Sequence, residues 1–390
     1  MDKFYCTKCF YLTSEDNPPE ICPICNSPKE IFDPVVKNEK QFIPEYWNEH
    51  LEKKIAEIHQ RQIQAGVNSS SFGLITDLHW APNEKHSAAL LEKVLTDCSV
   101  PFFFTGGDIV CGSGVCPASS LERELNEYTE AFKAVEHKCL MVAGNHDAAY
   151  STLPVPNYYV ESLTSDEMYE YYFRASTQYK NRVFGPDGTY CYADDKFHKM
   201  RYIALNTHIK WTDELGENGL PLCDAFRSAG FMQEQLDWFA NVALDVPSTD
   251  WTVVICTHEP VYTYFPNSAI ALGILDAFRR HKKYEGRNID EKRPHYNAQI
   301  SVDFTGRGGN FALWVGGHTH ADNHKYCDGM LSTATLNDSI HNAEGSPFKH
   351  IKGTDTEQAF DIFTVDKNNH KVFATRIGCG ENREFEYEVF

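Results

Sequence analysis

The chain has 390 residues, 42% of them hydrophobic and 23% charged. That ordinary globular mixture excludes wholesale disorder and collagen-like structure. Its 36 basic and 55 acidic residues leave a net charge of −19; such a field repels anionic partners, so neither a membrane surface nor a nucleic-acid polymer is expected. No run reaches the roughly 20 apolar residues that span a bilayer. Met1-Asp2-Lys3-Phe4-Tyr5-Cys6 lacks the apolar stretch of a secretory leader. Thirteen cysteines, an odd total, argue against a disulfide framework, so reduced thiols and a cytoplasmic location are expected.

Residues 1–40 read as a small unit rich in Cys and Pro. Cys6-x2-Cys9 and Cys22-x2-Cys25, with twelve residues between them, suit four thiolates placed tetrahedrally around one Zn or Fe. So short a unit builds little core, and the metal supplies folding energy. A connecting helix is expected within 41–70, where Trp47, Leu51, Ile55 and Ile58 recur at helical spacing and Gly66 ends the pattern. A strand–helix rhythm follows. Phe72–Thr76, Pro101–Thr105 and Cys139–Ala143 are short apolar runs, separated by helical patterns over 87–97 and 120–136. Tyr202–Leu205, Thr252–Cys256 and Phe311–Val315 continue the series, with a helix near 230–244. The alternation predicts an α/β sheet with covered faces. Residues 148–199 and 262–310 read as loop-rich insertions in a core spanning 71–335. In the last segment, 336–390, Phe360–Val365 and Val372–Thr375 flank a polar turn and predict a β-hairpin.

Polar clusters follow five of the apolar runs: Asp77-Leu78-His79, Gly106-Gly107-Asp108, Gly144-Asn145-His146-Asp147, Thr257-His258-Glu259-Pro260 and Gly316-Gly317-His318-Thr319-His320. Ligands of open α/β sheets bind beyond the carboxyl ends of strands, so all five should converge on one edge. Carboxylate, amide and imidazole donors suit Zn, Fe, Mn or Co. Asp77 and His79 lie two apart, as do His318 and His320, and an extended backbone would point each pair to one side. Each fragment alone is weak: a single His after a strand is usually structural, and Gly-Asp or Gly-Asn is ordinary turn chemistry. Their recurrence at one structural position is the signal.

In this order the clusters resemble the calcineurin-like metallophosphoesterase superfamily, whose pattern is Asp-x-His, Gly-Asp, Gly-Asn-His-Asp/Glu, His, Gly-His-x-His. The resemblance covers about residues 71–335. It implies a four-layer α/β/β/α sandwich and a hydrolase that cleaves phosphate esters with a hydroxide activated by two divalent or mixed-valence metal ions. By motif position Asp77, His79 and His320 would hold one metal, and Asn145, His258 and His318 the other. Asp108 would bridge them, and His146 would act as general acid. Two Asp, two divalent ions and one hydroxide sum to about +1, enough to attract a phosphate ester within an acidic chain. Two departures stand out. The protein-phosphatase branch carries an Asp where this chain has Cys111, and the purple acid phosphatases use Asp-x-Asp at the first motif and a Tyr at the Cys111 position. Cys111 reads as a small buried residue, with metal ligation the lesser alternative.

Cys22-Pro23-Ile24-Cys25, with Pro28-Lys29, resembles the second knuckle of the rubredoxin-like ribbon of rubrerythrins. A structural role for it is preferred, because phosphoester hydrolysis moves no electrons. The rivals are a phosphate- or nucleotide-binding protein without turnover and a redox protein run by the ribbon. Arg307 is a weaker candidate for a phosphate contact and His208 for the cleft border. Tyr158, Tyr159 and the Tyr169–Tyr172 stretch are weaker candidates for a base-binding wall, more cheaply explained by packing. Oligomeric state has no sequence signature here.

Overall fold

Most of the apolar runs end up buried on both faces. The structure, a computed structural model, describes residues 4–6, 12–13, 16–23, 26–34, 42–81, 83–111, 118–148, 163, 165–208, 229–340, 342 and 346–390. Cys9, Cys25, Tyr158 and Tyr159 therefore lie outside the described residues. Near the N-terminus β1 (Phe4–Cys6), β2 (Leu12–Thr13) and β3 (Phe32–Pro34) form a small antiparallel sheet in the order β2-β1-β3. Cys6 ends β1, and Cys22 is buried.

Helix α1 (Asn48–Ala65) buries Leu51, Ile55 and Ile58 and stops at Gly66, whose φ of 77° only glycine adopts cheaply. Then come β4 (Ser70–Ile75), α2 (Glu84–Asp97), β5 (Phe102–Thr105), α3 (Ala118–Phe132) and β6 (Cys139–Met141). After α4 (Ser165–Met168), β7 (Arg182–Phe184), β8 (Cys191–Asp195) and β9 (Met200–Ala204) lead to α5 (Gln233–Trp238) and β10 (Thr252–Cys256). Helix α6 (Ser268–Arg279), the hairpin of β11 (Lys283–Asn288) and β12 (Ala298–Asp303), and β13 (Asn310–Gly316) follow. The chain ends through β14 (Asn323–Cys327), β15 (Met330–Ala334), β16 (Ala359–Asp366), β17 (Lys371–Gly378) and β18 (Arg383–Glu386).

Two sheets face each other, one ordered β18-β17-β16-β4-β5-β6 and the other β14-β15-β13-β10-β9-β8-β7. Phe72, Leu74, Phe104, Tyr202, Val254, Leu313 and Phe363 fill the space between them. Outside the first sheet, Phe103 and Ile362 pack on Leu51 and Ile55 of α1, Leu91 of α2 and Leu125 of α3. Outside the second, Val253, Ile255 and Trp314 pack on Leu236 of α5 and Ile274 of α6. The result is the four-layer α/β/β/α sandwich. Strands covered on both faces need apolar residues at successive positions, which explains the continuous runs.

Two expectations change. Residues 262–310 are not loop-rich: α6 is a largely buried helix and β11–β12 an ordered hairpin. Gly273 blurs the helical pattern, yet the Tyr284 ring takes its place, since a Cβ there would lie 2.3 Å from that ring. Residues 148–199 contribute β7 and β8 to the seven-stranded sheet. The terminal hairpin forms between β16 and β17, with Asp366 Oδ1 accepting the amides of Asn368 and Asn369 at 3.0 Å each. β16 also pairs with β4 and so lies beside a strand that carries the site.

Candidate metal centre

β4, β5 and β6 run parallel and end at Asp77-x-His79, Asp108 and Asn145. In the facing sheet β10 and β13 run parallel and end at His258 and His318-x-His320. Seven side chains thus meet at the carboxyl ends of both sheets, and Asp77, Asp108 and His258 are each at most 1% exposed.

The backbone achieves this differently from the expected extended segments. Asp77, His79, Asp108, His318 and His320 have φ of 53°, 48°, 53°, 64° and 49°. All five are left-handed, a conformation that costs a non-glycine residue about 1–3 kcal/mol and persists only where surroundings impose it. Those surroundings are visible. Asp77 N–H donates to Gly107 O and His79 N–H to Asp108 O, both at 2.9 Å. His318 N–H donates to the Asp77 carboxylate at 3.0 Å. Each left-handed turn thus aims its side chain inward.

Donor atoms of Asp77, His79, Asp108 and His320 lie within 4.8 Å of one another, as do those of Asp108, His258 and His318. Asp108 belongs to both groups. Asn145 Oδ1 joins the second, 3.0 Å from His258 Nε2 and 2.9 Å from His318 Nδ1.

The model of the calcineurin-like phosphoesterase family matches residues 70–322. The chain belongs to that family. A second model, described as rubrerythrin, rubredoxin-like domain, matches residues 4–33. No curated protein matches the chain. Among solved structures, the chain aligns with a conserved uncharacterized protein from Streptococcus pneumoniae TIGR4, described as a predicted phosphoesterase. That protein is 10% identical, with a TM-score of 0.30, and the alignment covers 81% of this chain and 97% of that one.

The residues of this calcineurin-like phosphoesterase fit a cation, and His258 shows why. Its Nδ1 faces the Gly106 carbonyl at 2.8 Å. A carbonyl only accepts, so Nδ1 carries the proton and Nε2 of the neutral ring presents a lone pair. That lone pair points at two more acceptors, Asp108 Oδ2 at 3.2 Å and Asn145 Oδ1 at 3.0 Å. With the ring neutral three acceptors converge on one point, so positive charge is favoured there, as a proton on Nε2 or as a cation in its place. Titration behaviour agrees. Burial disfavours charge on His258, but Asp108 overrides it and pushes the imidazole up to about 10. Burial likewise penalises the Asp77 carboxylate, yet His320, 3.0 Å away, outweighs it and brings Asp77 down to about 2.

His146 is placed apart from this donor set. Its Nδ1 donates to the Cys111 carbonyl at 2.8 Å, leaving Nε2 turned toward the centre, 4.0 Å from Asp108 Oδ2. At position 111 the backbone carbonyl of the cysteine, not a carboxylate side chain, holds the ring. Cys111, 3% exposed, belongs to neither donor group among the described residues.

Asp147, the last residue of its motif, has a role that sequence reading missed. Its carboxylate accepts the amides of Gly144, Asp108, Ile109 and Val110 at 2.7–3.3 Å, which ties the β5 and β6 turns together. Burial, then the charge of Asp108, pushes its carboxyl up to about 7 against those amides. His208 is buried, its ring 5.4 Å edge-on from that of His258. Arg307 does not reach the site. It precedes β13, at the opposite end of that strand, where Nε donates to Asp303 O at 2.8 Å.

Gly144 is where the turns come closest. A Cβ there would sit 2.2 Å from Asp108 Oδ1 and 2.4 Å from Asp108 N. Gly144→Ala should therefore displace the Asp108 carboxylate and cost about 1–3 kcal/mol of stability. Thermal melts and metal stoichiometry of the full chain check this; an unchanged melt with full metal content would mean the contact is not tight.

Proposed function

We propose that the chain hydrolyses phosphate esters at a dinuclear metal centre. Asp77, His79 and His320 hold one metal and Asn145, His258 and His318 the other, with Asp108 bridging. The observation that carries this reading is the membership of Asp108 in both donor groups. Oxygen and nitrogen donors without thiolate suit Mn, Fe, Zn or Co. When bound, two such ions supply Lewis acidity and activate water at neutral pH. The chain's residues do the rest. Asp108 Oδ1 accepts the His146 amide at 2.8 Å, which sets that residue beside the reacting phosphate. His146 Nε2, with Nδ1 committed to Cys111 O, delivers a proton to the leaving oxygen as general acid.

The N-terminal unit, with Cys6, Cys9, Cys22 and Cys25, takes one Zn or Fe in a structural role. Its rubredoxin-like match supports a thiolate metal site. Among the described residues no helix is long and apolar enough to cross a membrane.

The test strips the full chain of metal, restores Mn, Fe, Zn or Co singly and in pairs, and screens phosphate monoesters, diesters, nucleotides and pyrophosphates. Turnover of at least one class is expected, rising until about two equivalents fill the main site. Two bound equivalents with no turnover of any class would favour the binding-protein reading.

A further inference from the structure

The loop of residues 317–322, which joins β13 to β14, carries His318 and His320 in left-handed conformations. Its first end is tied by Gly317 N–H to His258 O at 2.9 Å. Its far end is Asp322, two residues past His320. Asp322 Oδ1 receives Arg376 Nη2 at 2.6 Å, Arg383 Nη1 at 2.5 Å and the Leu336 amide at 3.2 Å. Arg376, on β17, is fully buried. It also donates to Asp361 of β16 at 3.0 and 3.1 Å, to Thr335 Oγ1 at 2.8 Å and to the Cys379 carbonyl at 2.7 Å. Arg383, which begins β18, reaches the same Asp361 and the Ala334 carbonyl. Two arginines and two aspartates thus form a closed, neutral set.

We propose that Arg376 and Arg383 are positioning residues for the metal held by Asp77, His79 and His320, acting through Asp322. The proposal rests on the dinuclear reading above. A left-handed His320 stays in place only if the chain on both sides of it is fixed. On its far side that fixing comes from the arginines of the last two strands, which lie beyond the family-matched residues. The other metal, held by Asn145, His258 and His318, depends on the Gly317 end of the loop and on β10 instead. A network that merely joins sheet edges would affect both metals alike, or neither.

The experiment compares the full chain with Arg383→Met and Asp322→Ala, because Arg383 is partly exposed and its loss disturbs the core less than loss of Arg376. Stepwise metal titration, read by Co absorption and elemental analysis, should show one site weakened about 10–100-fold, as for loss of an outer-shell partner, and the other nearly unchanged. Arg383→Lys should recover part of the loss. Equal weakening of both sites in step with a lower melting temperature would overturn the proposal, as would two unchanged affinities. Amide hydrogen exchange on the metal-free proteins separates this from failure of the dinuclear reading. Residues 318–322 should exchange faster in Arg383→Met than in the parent even if the parent binds no metal. Equal exchange there would overturn the anchoring itself.

Discussion

Asp108→Asn is expected to lower turnover by more than the roughly 10–100-fold that follows loss of an outer-shell partner, and to cost the protein at least one metal. The reason is geometric. Asp108 Oδ2 lies 3.2 Å from His258 Nε2, 3.9 Å from His79 Nε2 and 4.0 Å from His146 Nε2, so one oxygen serves both halves of the centre. The surrounding imidazoles outweigh burial and hold the Asp108 carboxyl well below the usual carboxylate range. An asparagine keeps the shape, halves the negative charge of the two-aspartate donor set, and can turn an N–H₂ toward His258. Elemental analysis and turnover on the best ester from the screen provide the readouts. Two retained metals with activity within tenfold of the parent would remove Asp108 from the bridging role.

His146→Ala should separate substrates by leaving group. An alkoxide must be protonated as it departs, and positioned acid catalysis contributes ~10²–10⁴-fold. A nitrophenolate leaves without that proton. Alkyl phosphate hydrolysis should therefore fall by this factor, nitrophenyl phosphate hydrolysis far less, with metal content unchanged. The Cys111 carbonyl accepts the hydrogen bond from Nδ1, so in the proposed role the Nε2 that faces the centre would be the nitrogen that gives the proton. Equal losses on both substrates would assign His146 a different task, and loss of a metal would make it a ligand.

The convergence of the seven candidate donors was legible because each follows an apolar run directly, and parallel strands deliver their ends to one edge. What stayed hidden depends on backbone atoms or on distance. The Cys111 carbonyl that holds His146 has no side-chain identity to read. The left-handed turns at Asp77 and His79 carry no glycine to announce them, so an extended segment was the natural expectation. Asp147 was visible as a motif letter, but its four amide partners appear only when β5 and β6 lie side by side. Arg376 and Arg383 stand 54 and 61 residues from Asp322, and no short-range pattern links them. Helix α6 was lost to one glycine whose partner, Tyr284, comes from the next strand.

The donors are divided between the two sheets. Asp77, His79, Asp108 and Asn145 stand at the ends of β4, β5 and β6, and His258, His318 and His320 at the ends of β10 and β13. Each proposed metal set draws on both. Bound ions would then act as cross-links over the open end of the sandwich, where the apolar filling between the sheets stops and the two aspartates of one sheet face the imidazoles of His258 and His320 in the other. A ligand that binds only the closed arrangement stabilises it by ~2.7 kcal/mol at a hundred times its dissociation constant. The fold and its chemistry would therefore respond to one variable, the free metal concentration.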